Sequence, residues 1–157
     1  MPFAAALSTA PQTAAAVEQV CRDARLPETP DLAIAFFSTH HAEAADLIGR
    51  SIAERLAPRR LLGCVAESVI GNGREVEDGP ALSLWLAAWK RPVDVEPFHA
   101  ALEQTPEGPS LLGLPDGLFE ADAATSAVLL LGDPYTFPVD LFLNQVNEGN
   151  AGLRVLG

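Results

Sequence analysis

Basic residues are scarce in this chain of 157 residues: ten Lys and Arg stand against 21 Asp and Glu, for a formal charge of −11. Nucleic acids and anionic membrane surfaces are gripped through clustered Lys and Arg, so the balance argues against both as partners. Long apolar runs are missing as well, since none approaches the ~18 residues of a membrane span. The first residues lack a basic stretch and a long apolar core, so no secretory signal is expected. Cysteine is nearly absent. Cys21 and Cys64 are too few for a disulfide scaffold or a zinc site, and they suit a reducing cytoplasm. What remains is a globular composition, 48% hydrophobic and 20% charged. The length is enough for one domain with a real core.

The first periodic segment runs from about Thr9 to Leu26. Thr9 and Gln12 have capping-box spacing, and Pro11 suits a first helical turn. Ala10, Ala14, Val17, Cys21 and Ala24 follow at helical intervals, an alanine-dominated face for close packing. Pro27 and Pro30 end the helix. Leu32–Ser38 is apolar on both parities, which predicts a central strand covered on both faces. Thr39 is a candidate N-cap for a helix over His41–Leu56, with Ala44, Ile48, Ile52 and Leu56 on one face. Leu61–Ala66 reads as a second buried strand, completing a βαβ unit. Gly71–Pro80, with three glycines, reads as a loop. Ala81–Trp89 and Val93–His99 read as an antiparallel hairpin, with Pro97 keeping the second strand at an edge. Residues 100–125 read as a long connection with a helical turn at Ala100–Gln104. Ala127–Gly132 is a further buried strand. Asp133–Pro138 is a turn, and the helix after it presents Val139, Phe142, Leu143 and Val146. Leu153–Leu156 is the last strand.

The fold class expected is α/β, a mixed sheet with two βαβ units and an antiparallel hairpin, helices packed on the sheet. Ser38–Gly63 and Asp133–Gly157 each hold one βαβ unit of about 25 residues, and so look like repeats. The division expected is one domain over 1–157, with a first βαβ-hairpin copy at 31–99, a connection at 100–125 and a partial second copy at 126–157. The first copy goes on past Gly63 into a hairpin, whereas the second stops at Gly157. The repeat therefore predicts an incomplete domain, a piece of a longer protein. The alternative is an incidental repeat, because βαβ units are common.

Three segments carry a resemblance: Leu32–Ile48 (LAIAFFSTHHAEAADLI), Leu61–Trp89 (LLGCVAESVIGNGREVEDGPALSLWLAAW) and Leu129–Asn147 (LLLGDPYTFPVDLFLNQVN). Gly63–Cys64 followed by a small-residue loop and a glycine pair is the most specific piece. Asp133–Pro134 to Phe137–Pro138 is the second. The chain resembles the N-terminal part of a FIST domain, a sensory domain of bacterial signalling proteins that is also found in F-box proteins. That resemblance implies a cytoplasmic module that senses small molecules, amino acids among them. It brings no catalytic residues.

The residues themselves offer several constellations. Cys64 with His40, His41 or His99 is the one thiol–imidazole combination, and such a pair makes a nucleophile. In an apolar strand Cys64 also reads as a small hydrophobe. His40 and His41 follow the C-terminal end of a strand, where α/β proteins place ligand contacts. They also read as ordinary residues of a helix start. No acidic spacing around them resembles a metal site. The Gly71–Pro80 segment lacks a full phosphate-binding pattern. It reads either as a glycine-permitted turn or as a pocket mouth, with Arg74 pairing a ligand carboxylate and Glu67 and Ser68 adding polar contacts. Glu75, Glu77 and Asp78 form a weak candidate cation site. Asp133 and Tyr135 open the second unit's helix, as ligand contacts or, for Asp133, as a cap. Trp85 and Trp89 share a strand face, for packing or for an interface.

The function expected is a non-enzymatic sensory domain for a small polar ligand, with contacts at His40, His41, Cys64, Glu67, Ser68, Arg74, Asp133 and Tyr135. No cofactor and no metal are expected. The partners expected are that small molecule and either the missing C-terminal part of the protein or a second copy. Two alternatives stand beside this: a thiol-dependent hydrolase using Cys64, and an interaction scaffold pairing through an open sheet edge.

Overall fold

A computed structural model describes residues 2–106 and 108–157. The chain divides into two compact units, Met1–Val95 and Glu96–Gly157. It is a mixed α/β structure, as expected from the sequence pattern.

The first unit begins with a strand that the sequence pattern did not suggest, β1 (Phe3–Ser8). Its alanine-rich run, FAAALS, has low strand propensity, and its place comes from tertiary pairing. Helix α1 (Thr13–Asp23) follows. The expected Thr9–Gln12 capping box is not formed, because the helix starts four residues later with Gln12 as N-cap and no side-chain cap bond. Ser8 instead organises this approach: its hydroxyl donates to Gln19 Oε1 (2.6 Å) and accepts from the Ala10 N–H (3.2 Å). Next come β2 (Leu32–Ser38), a 3-10 turn (Thr39–Ala44), α2 (Ala45–Leu56) and β3 (Arg60–Ala66). The helix expected over His41–Leu56 is thus split into a tight turn and an α-helix.

Two short strands, β4 (Val69–Gly71) and β5 (Arg74–Val76), pair as a hairpin where a loop was expected. The reason is chemical. Asn72 and Gly73 both take positive φ (50° and 73°), as a two-residue hairpin turn requires, and Asn-Gly is the dipeptide best suited to it. Then β6 (Leu82–Ala87) enters the sheet. The expected hairpin with Val93–His99 does not exist: those residues form no strand, and β6 lies between β1 and β2 instead.

The sheet order is β1-β6-β2-β3, with β2 parallel to β3 and both other pairs antiparallel. The registers put Ala4, Ala6, Leu82, Leu84, Leu86, Ala33, Ala35, Phe37 and Leu61 on one face. Against them pack Ala16, Val17, Val20 and Cys21 of α1 and Ile48 and Ile52 of α2. The small side chains on both layers let helix and sheet approach closely. β2 is buried on both faces as predicted, but β3 is an edge strand and only half-buried, which corrects the expectation of a second buried strand. Gly63 is fixed by this pairing, since a Cβ there would lie 2.9 Å from the Ala35 carbonyl oxygen.

In the second unit, β7 (Ala101–Thr105) and β8 (Gly108–Leu112) form an antiparallel pair where a connection with a helical turn was expected. After a 3-10 turn at Asp116–Leu118 come β9 (Ala127–Leu129), α3 (Val139–Gly149) and β10 (Arg154–Leu156). β9 and β10 are parallel, so the second βαβ unit is present, with strands shorter than predicted. Leu111, Leu118, Val128, Phe142, Val146 and Leu153 form its core. Val139, placed on that face by its periodicity, is exposed instead.

Candidate functional site

Two ends of the first unit's sheet carry chemistry. At one, β2 and β3 both terminate, for Ser38 pairs with Ala66. The chain fixes this end through Ser38, whose N–H donates to the Ala81 carbonyl (2.9 Å) while its hydroxyl accepts from the Ala81 N–H (3.0 Å). The 3-10 turn that follows carries both predicted histidines. His41 is 1% exposed, and its Nδ1 lies 2.9 Å from Thr13 Oγ1 in the first turn of α1. Its Nε2 is buried with no hydrogen-bond partner. Such an orphaned group costs about 1–3 kcal/mol, so it calls for an occupant or a function. Burial, with a smaller contribution from His40, pushes the His41 pKa below its ordinary value and holds the ring neutral. His40 stays exposed: its Nε2 bonds the Pro11 carbonyl (2.9 Å), and its ring meets His41 edge-on at 5.0 Å.

The other predicted residues are less closely knit. Glu67 and Ser68 are exposed in the link from β3 to β4, and Arg74 is exposed on β5 opposite Gly71. Cys64 lies in β3 opposite Phe36. Burial raises its pKa, with no cation acting to lower it. An activated thiol needs the opposite environment. The hydrogen bonds of His40 and His41 go to Pro11 and Thr13, and among the described residues neither imidazole hydrogen-bonds Cys64. Asp133 and Tyr135 belong to the second unit. There Asp133 accepts from the Tyr135 N–H (3.0 Å) and the Thr136 hydroxyl (2.6 Å) inside the turn that precedes α3, and those bonds lower its pKa. It does not cap the helix, which begins at Val139 with Pro138 as N-cap and no side-chain cap bond. Tyr135 is exposed.

The opposite end of the first unit holds a cleft of about 540 Å³ that contains none of the predicted residues. Arg22, Arg25 and Arg55 line it together with Glu18 and Glu28, and Leu26, Leu56 and Leu86 supply apolar wall. Arg22 is tied to Asp23 at 2.9 Å. Among the described residues Arg25 and Arg55 make no ion pair. α1 and α2 both end here, and their last carbonyls bring partial negative charge. Sequence periodicity carries no signal that Arg55, thirty residues beyond Arg25, joins Arg22 and Arg25 here. A second cleft of about 640 Å³, in the second unit, is mainly apolar, lined by Leu111, Leu112, Leu114 and Phe119 beside Gln145 and Glu148.

Among the described residues, no group of three or more His, Cys, Asp or Glu could hold a metal ion, and no helix is long and apolar enough to cross a membrane. The FIST N domain matches residues 31–157 of the chain. An uncharacterized protein of Mycobacterium bovis is 32% identical over 146 residues, covering 91% of this chain and 36% of that protein. An uncharacterized protein of Mycobacterium tuberculosis is 30% identical over 161 positions, covering all of this chain and 40% of that protein. The chain therefore spans well under half the length of these curated relatives. No solved structure matches it significantly.

Proposed function

The chain belongs to the FIST N domain family, sensory domains of signal transduction, and on that premise we propose that it binds a small zwitterionic ligand, an amino acid or a related carboxylate, without turning it over. The observation that carries this reading is the mixed-charge cleft of the first unit. Arg25 and Arg55 are free to take a carboxylate, the group that guanidinium forks match best. Glu18, Glu28 and the carbonyl ends of α1 and α2 suit an ammonium group a few ångströms away. The apolar wall of Leu26, Leu56 and Leu86 then meets the rest of the molecule. Both thiols, Cys21 and Cys64, are free, which suits work in a reducing cytoplasm.

A second reading places the ligand at the other end, on His41, because its buried Nε2 has no partner. His40, Glu67, Ser68 and Arg74 would then line its approach. A thermal-shift series with the proteinogenic amino acids and small mono- and dicarboxylates separates the two. A ligand at one hundred times its dissociation constant adds about 2.7 kcal/mol and raises the melting temperature visibly. The expected result is a dose-dependent shift that Arg25→Ala and Arg55→Ala abolish and His41→Gln retains. The reverse pattern favours the second reading, and no shift with any compound overturns both.

A further inference from the structure

The segment that leaves α1 runs along the mixed-charge cleft and is held at both ends. At its start the Ala24 N–H bonds the Val20 carbonyl (2.8 Å), and at its far end the Pro30 carbonyl accepts from the Arg59 N–H (2.9 Å). Pro27 and Pro30 fix φ and supply no donor, so the stretch between continues neither as helix nor as strand. Leu26, Pro27, Glu28 and Thr29 line the cleft. Among the described residues, the N–H groups of Arg25, Leu26, Glu28 and Thr29 have no backbone partner, and neither do the carbonyls from Arg25 to Thr29. One wall of the cleft is therefore a tethered backbone with unpaired donors and acceptors.

The cleft is also larger than the smallest ligand its charges could hold. Its volume of about 540 Å³ equals the liquid volume of about 18 waters. A free amino acid such as leucine has about half as many non-hydrogen atoms. It leaves much of that space unfilled, and it has no peptide group to offer the backbone wall.

We propose that the ligand of this cleft is a short peptide, of about tripeptide size, with a free carboxyl terminus and an apolar last side chain. The inference rests on the reading of the cleft as the ligand site and names the class of molecule it takes. The terminal carboxylate lies on the Arg25 and Arg55 guanidiniums, which make no ion pair among the described residues. The last side chain meets Leu26, Leu56 and Leu86. The peptide groups that precede it exchange hydrogen bonds with the Leu26–Thr29 backbone, and the amino terminus is left to Glu18 and Glu28. A dicarboxylic acid satisfies both guanidiniums but leaves the wall unpaired. A phosphate ester brings its doubled charge against both glutamates.

Isothermal titration of the 157-residue chain tests this with leucine, Gly-Gly-Leu, carboxyl-amidated Gly-Gly-Leu, and an ester analogue with oxygen in place of the last peptide N–H. The expected result is that Gly-Gly-Leu binds at least tenfold more tightly than leucine and loses at least tenfold on amidation. The ester analogue keeps both charges and the side chain but lacks one donor, and is expected to lose about fivefold. Arg25→Ala and Arg55→Ala are each expected to weaken Gly-Gly-Leu at least tenfold. Both side chains are exposed, so the variants are expected to melt with the parent chain, and the three ligand comparisons need no variant at all. Leucine as tight as Gly-Gly-Leu, an amide as good as the acid, or an ester as good as the peptide overturns the peptide inference and leaves the amino-acid reading standing. Binding by none of the four also overturns it, and the amino-acid series above then decides whether the cleft reading falls with it. Undiminished binding to both arginine variants places the site elsewhere and overturns the two together.

Discussion

Thr13 Oγ1 and His41 Nδ1 lie 2.9 Å apart, joining the first turn of α1 to the turn that leaves β2. This is the only hydrogen bond recorded for a ring that is otherwise buried, among the described residues. Thr13→Val keeps the shape of the side chain and removes its hydroxyl, leaving both imidazole nitrogens unmatched. The expected cost is about 1–3 kcal/mol, read from urea denaturation. Thr13→Ser, which restores a hydroxyl, is expected to recover most of it.

The same ring makes stability depend on pH. His41 has a pKa below its ordinary 6.5 in the folded chain, first through burial and then through His40. Below about pH 6.5 the unfolded chain takes up a proton that the folded chain refuses. The stabilisation from a neutral His41 is thus fully present above that pH and is lost as pH falls toward the folded-state value. Unfolding followed between pH 7.5 and 5 is expected to show this fall. His41→Gln, which cannot titrate, is expected to flatten it.

Asp31 provides a contrast between two kinds of partner. Its Oδ2 accepts the Trp89 N–H at 2.7 Å, and its Oδ1 faces the Arg59 guanidinium at 3.3 Å. The Asp31 side chain is largely buried, whereas that of Arg59 is 72% exposed. An exposed cation contributes little. Arg59→Ala is expected to change stability by less than about 0.5 kcal/mol, and Asp31→Ala, which strands a backbone donor, by about 1–3 kcal/mol. Equal effects in paired denaturation curves would contradict this assignment.

The thiols test the non-enzymatic reading. Burial raises the pKa of both Cys21 and Cys64. Cys21 also has Arg55 pulling the other way, but Cys21 is the more buried. Both are expected to react with an aromatic disulfide reagent more slowly than a free model thiol at pH 7, and Cys21 more slowly than Cys64. Fast modification of Cys64, at or above the model rate, would revive the hydrolase alternative.

Much of the framework was legible in the sequence because apolar periodicity reports burial directly. Leu32–Ser38, the two βαβ units and the turn after Asp133 emerged in this way. What failed depended on partners distant in sequence. β1 is a run of alanines given strand form by β6, about eighty residues away. β6 likewise pairs with β1 and β2, although proximity suggested Val93–His99. The β4–β5 hairpin was a different kind of miss, because Asn72–Gly73 announces it locally and the surrounding charges disguised it as loop. For the site, the position of His41 after β2 was readable. Its contact with Thr13 and the convergence of Arg25 with Arg55 were not, since both depend on how α1 and α2 pack on the sheet.

Gly71 and Gly73 stand two residues apart in that hairpin and are glycine for different reasons. A Cβ at Gly71 would come 2.9 Å from Leu7 Cβ and 3.0 Å from Ser83 Oγ, so the space is already filled. Gly73 has open space around it but a φ of +73°. Gly71→Ala must push β4 away from the sheet and is expected to cost about 1–3 kcal/mol, as overpacking does. Gly73→Ala meets only the backbone penalty, about 1–2 kcal/mol. Asparagine separates the two causes, since it tolerates left-handed backbone but is larger than alanine. Gly73→Asn is therefore expected to be milder than Gly73→Ala, while Gly71→Asn is expected to be worse than Gly71→Ala. Thermal melts of the four variants check the crossing order, and parallel ranking at both positions would show that one cause governs them.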